Sequence, residues 1–384
     1  MKIGILTQPL HNNYGGLLQN YALQQVLIGM GHEVETLDWK AKYSRLRMWL
    51  SRGKQMLQHQ INKQMEAPRY KPTDAENNCI SQHTHKFIER YISVCPYKAE
   101  KHDELLHIAN MRQYEALVVG SDQVWRPDYN TWPAAMFFDF AEEMNIKRVA
   151  YAASFGTSAW EFSSAMTEKC SQLAKKFDLI TVREKCGVDL CQEHLGVTAT
   201  HVLDPTLLLN KEDYIHLVEA EKETGNAGTL FHYILDPSYK KKSLIDIVAA
   251  RQGLTPFTIM PKCQAENRTK SDVKNRIEDC VFPSVTSWLR GIMDAKMIIV
   301  DSFHGAVFSI IFNKPFWVMA NAERGNARFE SLLGLFGLEN RMISIDSLDE
   351  NFDWNKAIDW EKVNIIRQKE VVRCKSLLKE ALKQ

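Results

Sequence analysis

One histidine in the second half of the chain combines several features suited to proton transfer. His304 lies in the segment Asp301-Ser302-Phe303-His304-Gly305, between a very apolar predicted strand and a predicted short helix. An imidazole has an ordinary pKa of about 6.5, so it can give or take a proton near neutrality. Gly305 offers close backbone access, and Asp301 is placed to orient the ring. The segment predicts a catalytic acid or base at His304, with a structural histidine as the alternative.

Arginines that could bind an anion occur near this histidine and in the first half of the chain. Arg324 and Arg328 follow the next predicted strand, and Arg183 ends an earlier one. A guanidinium group matches the oxygen pairs of phosphates and carboxylates. For Arg183, an ion pair with Glu184 or another carboxylate is the alternative. Together with Gly305, these arginines predict an anion-binding site beside a proton donor.

Three loops in the first half bring small or polar residues to the ends of predicted strands. They contain Tyr14-Gly15-Gly16, Gly120-Ser121-Asp122-Gln123-Val124-Trp125 and Ala153-Ser154-Phe155-Gly156. Glycines at a strand-to-helix turn allow free N–H groups to hold an anion, although close packing also explains them. An aromatic ring in such a loop suits the face of a sugar, or packs in a core. We predict that a cleft is lined by Tyr14, Gly15, Gly16, Ser121, Asp122, Trp125 and Ser154.

The elements that position these loops alternate between strand and helix. The predicted strands are 2–7, 33–37, 116–119, 148–153, 179–183, 201–203, 229–235, 256–260, 297–301 and 316–319. Apolar residues at helical spacing predict helices such as 17–30 and 243–252. This alternation favours parallel sheets with helices on both faces. The predicted fold is therefore α/β, with two Rossmann-like domains whose loops face one another across a cleft.

The domain boundaries follow from where the pattern restarts. We predict an N-terminal Rossmann-like domain over 1–210 and a C-terminal Rossmann-like domain over 211–350. A charged amphipathic helix in 351–384 is expected to pack back on the first domain. At 384 residues the chain is too long for one compact core.

Composition excludes several classes of partner. The formal net charge is +1, so no overall field draws nucleic acid or a membrane to the surface. Eight cysteines without a C-x-x-C pair favour free thiols, and we predict no metal site. We find no signal-peptide pattern and no apolar run near the ~18 residues of a membrane span. These features predict a cytoplasmic protein.

One segment, at about 40–75, interrupts the alternation. Residues 40–65 contain seven basic side chains and no acidic one, with Trp49 and several leucines and methionines interleaved. A solvated insertion with a few apolar anchors is one interpretation. The other is a surface for the inner face of an anionic membrane, or for a lipid-phosphate-linked sugar.

The ordered set of motifs resembles the polysaccharide pyruvyl transferase family. The matching pieces run from about residue 3 to residue 330. They are Asn12-Asn13-Tyr14-Gly15-Gly16 with Leu23-Gln24, Gly120-Ser121-Asp122, Ala152-Ala153-Ser154-Phe155-Gly156, Val182-Arg183-Glu184, Asp204-Pro205-Thr206, and Phe303-His304-Gly305 through Lys314-Pro315. The resemblance implies a GT-B-like fold and the transfer of pyruvate from phosphoenolpyruvate to a saccharide acceptor, often lipid-linked. The product would be a ketal in cell-surface polysaccharide synthesis.

The same resemblance assigns roles to individual residues. It implies that His304 is the general acid or base and that Arg183 and Arg324 hold the phosphate and carboxylate of the donor. Such chemistry needs a proton carrier and fixed positive charge, and no cofactor. Members often carry an arginine two positions before the histidine, where this chain has Ser302. Either Arg324 or Arg328 supplies that charge, or the donor preference differs.

Two other functions stay open at this point. A GT-B glycosyltransferase that uses a nucleotide sugar would need a similar cleft and anion site. However, no clear nucleotide-binding pair of glutamates follows the histidine motif. A non-catalytic carbohydrate-binding protein is the second alternative.

Overall fold

The structure is a computed structural model that describes residues 1–40, 70–263, 269–320, 325–348 and 351–383. The membrane contact was predicted for residues 40–65, and all of these except residue 40 belong to the segment 41–69, which is not described. Arg324, which was predicted to bind the donor, belongs to the segment 321–324, which is not described either. Both predictions therefore lie outside the described residues.

The described strands and helices alternate along the chain. The strands are β1 Lys2–Leu6, β2 Glu33–Trp39, β3 Val94–Ala99, β4 Ala116–Val119, β5 Lys147–Ala153, β6 Leu179–Val182, β7 Thr200–His201, β8 Leu230–Tyr233, β9 Pro256–Phe257, β10 Met297–Val300, β11 Phe316–Met319 and β12 Met342–Ile343. The α-helices are α1 Tyr14–Gly29, α2 Asp74–Ile80, α3 Gln82–Tyr91, α4 His102–Arg112, α5 Ser164–Ala174, α6 Lys185–Leu190, α7 Lys211–Ala220, α8 Tyr239–Gln252, α9 Lys270–Asn275, α10 Val285–Asp294, α11 Phe303–Ile311, α12 Ala327–Phe336 and α13 Trp360–Ala381.

These strands form two parallel sheets. The first has seven strands in the order β3-β2-β1-β4-β5-β6-β7, and the second has five in the order β12-β11-β10-β8-β9. The pairings within each sheet are parallel. The predicted α/β fold with two Rossmann-like sheets is confirmed. The predicted boundaries at 210 and 350 remain predictions.

Strand order determines where ligands can bind in such sheets. The order reverses between β1 and β4 in the first sheet, and between β8 and β10 in the second. In open α/β sheets, ligands bind beyond the carboxyl ends of the strands at such a reversal. The loops that follow β1, β4, β8 and β10 are therefore the expected place for a site.

Local sequence explains why two of these loops turn directly into helices. Asn13 caps α1, because its side chain accepts a hydrogen bond from the Gly16 N–H. Ser302 caps α11 in the same way by accepting from the Gly305 N–H. Each residue of β10 is buried, and so is each residue of α11. The second sheet thus holds the start of α11 rigidly at the cleft.

The chain passes between the two halves twice. It enters the second sheet after α7, and α13 returns to the first half. There the Leu203 N–H donates to the Cys374 thiol at 3.4 Å, and Arg373 donates to the His201 carbonyl at 2.8 Å. Among the described helices, none is long and apolar enough to span a membrane.

Candidate active site

A pocket of about 350 Å³ lies between the two halves, at the strand ends described above. The first half contributes residues that follow β1 and β4, and the second half contributes residues that follow β8, β9 and β10. The lining residues are His11, Asn12, Asn13, Gly15, Asp122, Gln123, Tyr129, Tyr233, Leu235, Met260, Pro261, Phe282, Trp288, Asp301, Ser302, Phe303, His304 and Arg328.

His304 reaches from the second half into the first. It belongs to the first turn of α11 and is 7% exposed. Its Nε2 lies 3.5 Å from Oδ2 of Asp204, an electrostatic contact too long for a well-aligned hydrogen bond. The other side of the ring covers Gly15, where a Cβ atom would stand 2.1 Å from Nδ1. The imidazole therefore lies between a carboxylate and the start of α1.

Asp204 is fully buried among hydrogen-bond donors. Its Oδ1 accepts from the N–H and the hydroxyl of Thr206 at 3.0 and 2.7 Å. Its Oδ2 accepts from the Ser121 hydroxyl at 3.2 Å and from the Arg183 guanidinium at 3.0 Å. Burial opposes ionisation of this carboxyl, but the positive charges of His304 and Arg183 outweigh it and lower the Asp204 pKa. Asp204 is thus an ionised partner for the imidazole.

Asp301 does not orient the His304 ring, contrary to our prediction. Its Oδ1 accepts from the Leu235 N–H at 2.6 Å. Its Oδ2 accepts from the Asp236 N–H at 3.1 Å and from Nζ of Lys241 at 2.6 Å. These bonds tie β10 to the loop after β8, because the carboxylate points back across its own sheet. The carboxylate that meets the ring is Asp204, from the opposite half.

Arg183 lies beneath the pocket and is absent from its lining. It is 3% exposed and contacts Asp204 at 3.0 Å, Asp122 at 3.4 Å and Glu184 at 3.6 Å. Its guanidinium also lies 4.3 Å from the ring centroid of Phe303. In this structure the three carboxylates occupy the guanidinium, which is the ion-pair alternative rather than the donor-binding role.

Arg328 is the described arginine that lines the pocket. It begins α12 beyond the end of β11. Burial, and then the positive charge of Arg183, lower the Arg328 pKa, while Glu184 and Asp122 act in the opposite direction. A guanidinium stays charged in such a setting. Arg328 therefore places a cation on the wall of the pocket.

Three other predicted site residues have structural roles in packing, helix capping and hydrogen bonding. Gly305 lies outside the pocket lining, and a Cβ there would stand 2.8 Å from Cγ1 of Val300, so this glycine allows α11 to approach β10. Gly16 serves the cap of α1. Tyr14 is buried and donates its hydroxyl proton to the Pro283 carbonyl at 2.9 Å, which links the two halves. These three residues support the site from outside the pocket.

Two serines predicted for the cleft are buried instead. The Ser121 hydroxyl donates to Asp204 and to the Ala152 carbonyl. The Ser154 hydroxyl donates to Glu184 and accepts from the Gly156 N–H at 3.1 Å. Both hydroxyls are therefore committed to holding the loops, whereas Asp122 does line the pocket.

The prediction that Trp125 lies at the cleft is wrong. Trp125 is 1% exposed, stacks on Phe137 with a centroid distance of 4.7 Å, and donates its indole N–H to the Met136 carbonyl. Its ring packs in an apolar cluster that includes residues of β4 and β5. Four residues later, Tyr129 lines the pocket and is 51% exposed.

Sequence reasoning left several residues that line the pocket, or lie directly behind it, out of the predicted site. Asp204 and Asn13 stand in motifs that suggested the resemblance, but neither was assigned to the cleft. Tyr233 and Trp288 come from apolar stretches that look like ordinary core. Asp204 had the clearest signal, because it directly follows the predicted strand 201–203.

The fold is α/β with two parallel sheets, and the pocket lies between the halves that they build. The sequence profile of polysaccharide pyruvyl transferases matches residues 13–323. This match spans most of the chain, which therefore belongs to the polysaccharide pyruvyl transferase family and is a transferase. A search of curated proteins found no match to this sequence.

Solved structures with a similar course of the chain include three at low identity. UDP-GlcNAc 2-epimerase from Methanocaldococcus jannaschii, in complex with UDP-GlcNAc and UDP, is 12% identical over 96% of this chain and 99% of its own, with a TM-score of 0.46. A putative UDP-N-acetylglucosamine 2-epimerase from Listeria monocytogenes is 10% identical over 97% and 90%, with a TM-score of 0.49. A ugt transferase from Siraitia grosvenorii in complex with UDP is 10% identical over 99% and 94%, with a TM-score of 0.42.

Proposed function

We propose that this protein transfers the pyruvyl group of phosphoenolpyruvate to two hydroxyls of a saccharide, forming a ketal. The observation that carries the proposal is that His304 lines the pocket together with Arg328 and meets the buried Asp204 from the opposite half. A proton carrier beside fixed positive charge is what this transfer requires. Membership of the family supports the same reaction.

His304 would carry the proton in this reaction. The imidazolium gives a proton to the methylene carbon of phosphoenolpyruvate, and positive charge develops at the neighbouring carbon. A sugar hydroxyl adds to that carbon, the bond to the phosphate oxygen breaks, and a second hydroxyl closes the ketal. The two hydroxyls lose two protons, one of which restores the imidazolium while the other leaves with phosphate. Asp204 is the ionised carboxylate beside the ring, 3.5 Å from Nε2.

The anionic donor would lie against Arg328 and the start of α1. Arg328 offers a guanidinium fork for a phosphate or carboxylate. The first turn of α1 reaches the pocket at Gly15, where helix N–H groups and the helix dipole favour negative charge. This arrangement replaces the family arginine that is Ser302 here. We propose Arg324 as a second cation for the donor.

The finer parts of the proposal concern the acceptor and the place of action. We propose a saccharide acceptor, lipid-linked in the pathway that builds cell-surface polysaccharide, and action at the cytoplasmic face of the membrane. The basic segment 40–65 supports this placement by its charge alone. We propose no cofactor beyond the donor, because proton transfer and fixed charge suffice for the steps above.

The test is a phosphate-release assay with phosphoenolpyruvate and a panel of saccharides. Product is identified by mass, as acceptor plus pyruvic acid less one water. We expect His304→Ala to lower kcat by about 10²–10⁴-fold, since a positioned acid or base contributes that much. Activity equal to the wild type in His304→Ala would remove the proton-carrier role.

A binding measurement separates this function from its alternatives. Phosphoenolpyruvate should raise the Tm of the wild type and of His304→Ala, because Arg328 stays in place. A nucleotide-sugar transferase would instead be stabilised by nucleoside diphosphates. Stabilisation by UDP without any response to phosphoenolpyruvate would contradict the proposed donor.

A further inference from the structure

Tyr129 is an exposed aromatic side chain on the wall of the active-site pocket. Three other aromatic residues that line the pocket are buried, since Tyr233 is 8% exposed, Phe303 5% and Trp288 fully covered, while Phe282 is partly buried. Tyr129 is 51% exposed. Covering such a ring with the apolar face of a ligand would be favourable. Its exposure inside the pocket therefore makes Tyr129 a candidate contact for a ligand.

The turn that carries Tyr129 holds the ring in a fixed place. Residues Pro127–Tyr129 form a short 3-10 helix, and the Tyr129 N–H donates to the Arg126 carbonyl at 3.1 Å. The Asn130 amide donates to the Val124 and Arg126 carbonyls at 2.8 and 2.9 Å. A platform built on such a turn costs little conformational entropy when it binds a ligand.

A clamped arginine covers part of the tyrosine. The Arg126 guanidinium lies 4.6 Å from the Tyr129 ring centroid and donates to its hydroxyl at 3.3 Å. Glu161 holds the same guanidinium by two bonds, at 3.1 and 3.3 Å. The guanidinium therefore packs on the ring rather than moving freely in solvent. The exposed half of the side chain is the part that Arg126 does not cover.

The chemistry around Tyr129 differs from that around His304. Phosphoenolpyruvate is a small polyanion and gains most from Arg328 and His304, on the second half of the molecule. The wall near Tyr129 combines an aromatic ring with the Gln123 amide. A pyranose complements both groups, because its apolar C–H face can pack on the ring and its rim of hydroxyls can hydrogen-bond with the amide.

We propose that Tyr129 is the platform on which the acceptor pyranose packs, with Gln123 hydrogen-bonding the hydroxyl rim. This inference rests on the proposed function, because it assigns the acceptor end of the same pocket. The bound sugar would lie between Tyr129 on the first half and the reacting donor on the second. Recognition is then of the ring face, so it selects pyranoses with an unbroken C–H face.

Kinetics on variants of the full chain test the assignment. We expect Tyr129→Ala to raise the acceptor KM about tenfold and to leave the phosphoenolpyruvate KM within about twofold, because lost stacking affects one substrate only. Tyr129→Trp should keep the acceptor KM within about threefold. The control is Tyr239→Ala, which removes a tyrosine that is 85% exposed and lies outside the pocket lining. An unchanged acceptor KM in Tyr129→Ala would overturn the proposal, and so would an equal rise in both KM values.

A second measurement separates this inference from the choice of donor. Saturation-transfer NMR with nitrophenyl pyranosides and no donor reports sugar binding directly. If the wild type binds a pyranoside and Tyr129→Ala loses the signal, the platform stands even where phosphoenolpyruvate is not turned over. If phosphoenolpyruvate is turned over but Tyr129→Ala binds the sugar like the wild type, the platform fails and the proposed function stands.

Discussion

Gly15 and His304 come from opposite halves of the molecule and occupy adjoining space. The missing side chain at Gly15 is what allows the imidazole to lie over the first turn of α1. A methyl group there would stand 2.1 Å from Nδ1, far inside van der Waals contact. The position of the ring thus depends on a residue almost three hundred positions away in sequence.

We therefore predict that Gly15→Ala lowers kcat about 100-fold, because displacement of a reacting group by about 1 Å has an effect of that size. Gly29→Ala is the matched control, since it lies in the same helix and a Cβ there meets no atom within 4 Å. Both variants should retain wild-type far-ultraviolet circular dichroism. Equal kcat values for the two variants would contradict the contact between Gly15 and the ring.

Arg183 is predicted to matter for stability. Arg183→Ala leaves Asp122, Asp204 and Glu184 without their shared cation, and breaking a buried pair in this way costs about 3–5 kcal/mol. Urea unfolding measures the change. Arg90→Ala is the control, because Arg90 is half exposed in its pair with Glu221 and should cost at most about 1 kcal/mol. A loss as small as that of the control would show that the carboxylates find other partners.

At this scale the sequence predicts residue types better than residue partners. His304 is recognisable from its place after an apolar strand, and the structure puts it in the pocket. Which carboxylate meets it was not predictable, because Asp301 and Asp204 both follow strands. The answer depends on how the two sheets face each other, which no local pattern encodes. Likewise, no local pattern shows that Trp125 packs in a core while Tyr129 lines the pocket.

Among the elements, α13 supports the segment that carries Asp204. Arg367 donates to the Leu207 and Leu209 carbonyls. Cys374 and Leu378 are fully buried, whereas Val372 is 70% exposed. The helix thus buries one stripe against the first half and leaves another in solvent.

We predict that Leu378→Ala lowers the free energy of unfolding by about 2–5 kcal/mol, the cost of a cavity in a packed core. Val372→Ala, six residues away on the same helix, should change it by about 0.5 kcal/mol or less. Urea unfolding of both variants gives the comparison. Similar values for the two would mean that α13 does not pack on the first half as described.

Strands in the centre of each sheet were predictable, while the edge strands β3 and β12 and the polar helix α2 were not. Central strands such as β4 and β10 are continuous apolar runs, because parallel strands are buried on both faces. Strand β3 contains Pro96 in a run of three exposed residues, and as an edge strand it tolerates both. Helix α2 had a signal in its capping box of Thr73 and Glu76, without an apolar stripe.

At the scale of the whole molecule, the buried charges make stability depend on pH. Burial favours the protonated forms of Asp122 and Asp204, but Arg183 and His304 outweigh it and lower the pKa of each carboxyl. A carboxyl with a lowered pKa in the folded state stabilises the protein above its ordinary pKa of about 4, and this contribution is lost as the pH falls.

We expect the free energy of unfolding to fall as the pH drops below about 4, and to fall less steeply in Asp204→Asn. Each carboxyl that takes up a proton on unfolding contributes up to about 1.4 kcal/mol per pH unit. Urea unfolding of both proteins over the range from neutral to acidic pH gives the slopes. Parallel curves for the wild type and Asp204→Asn would contradict an ionised Asp204.

The double passage of the chain between the halves has a mechanical consequence. Two halves of a protein that are joined by a single peptide segment can rotate relative to one another in any direction. Here one connection follows α7 and the other leads from β12 to α13, so two tethers join the halves. Two tethers restrict any swing to a single axis through both. The His304 imidazole and the Asp204 carboxylate would then approach along one arc, and would meet in the same orientation each time the two halves close.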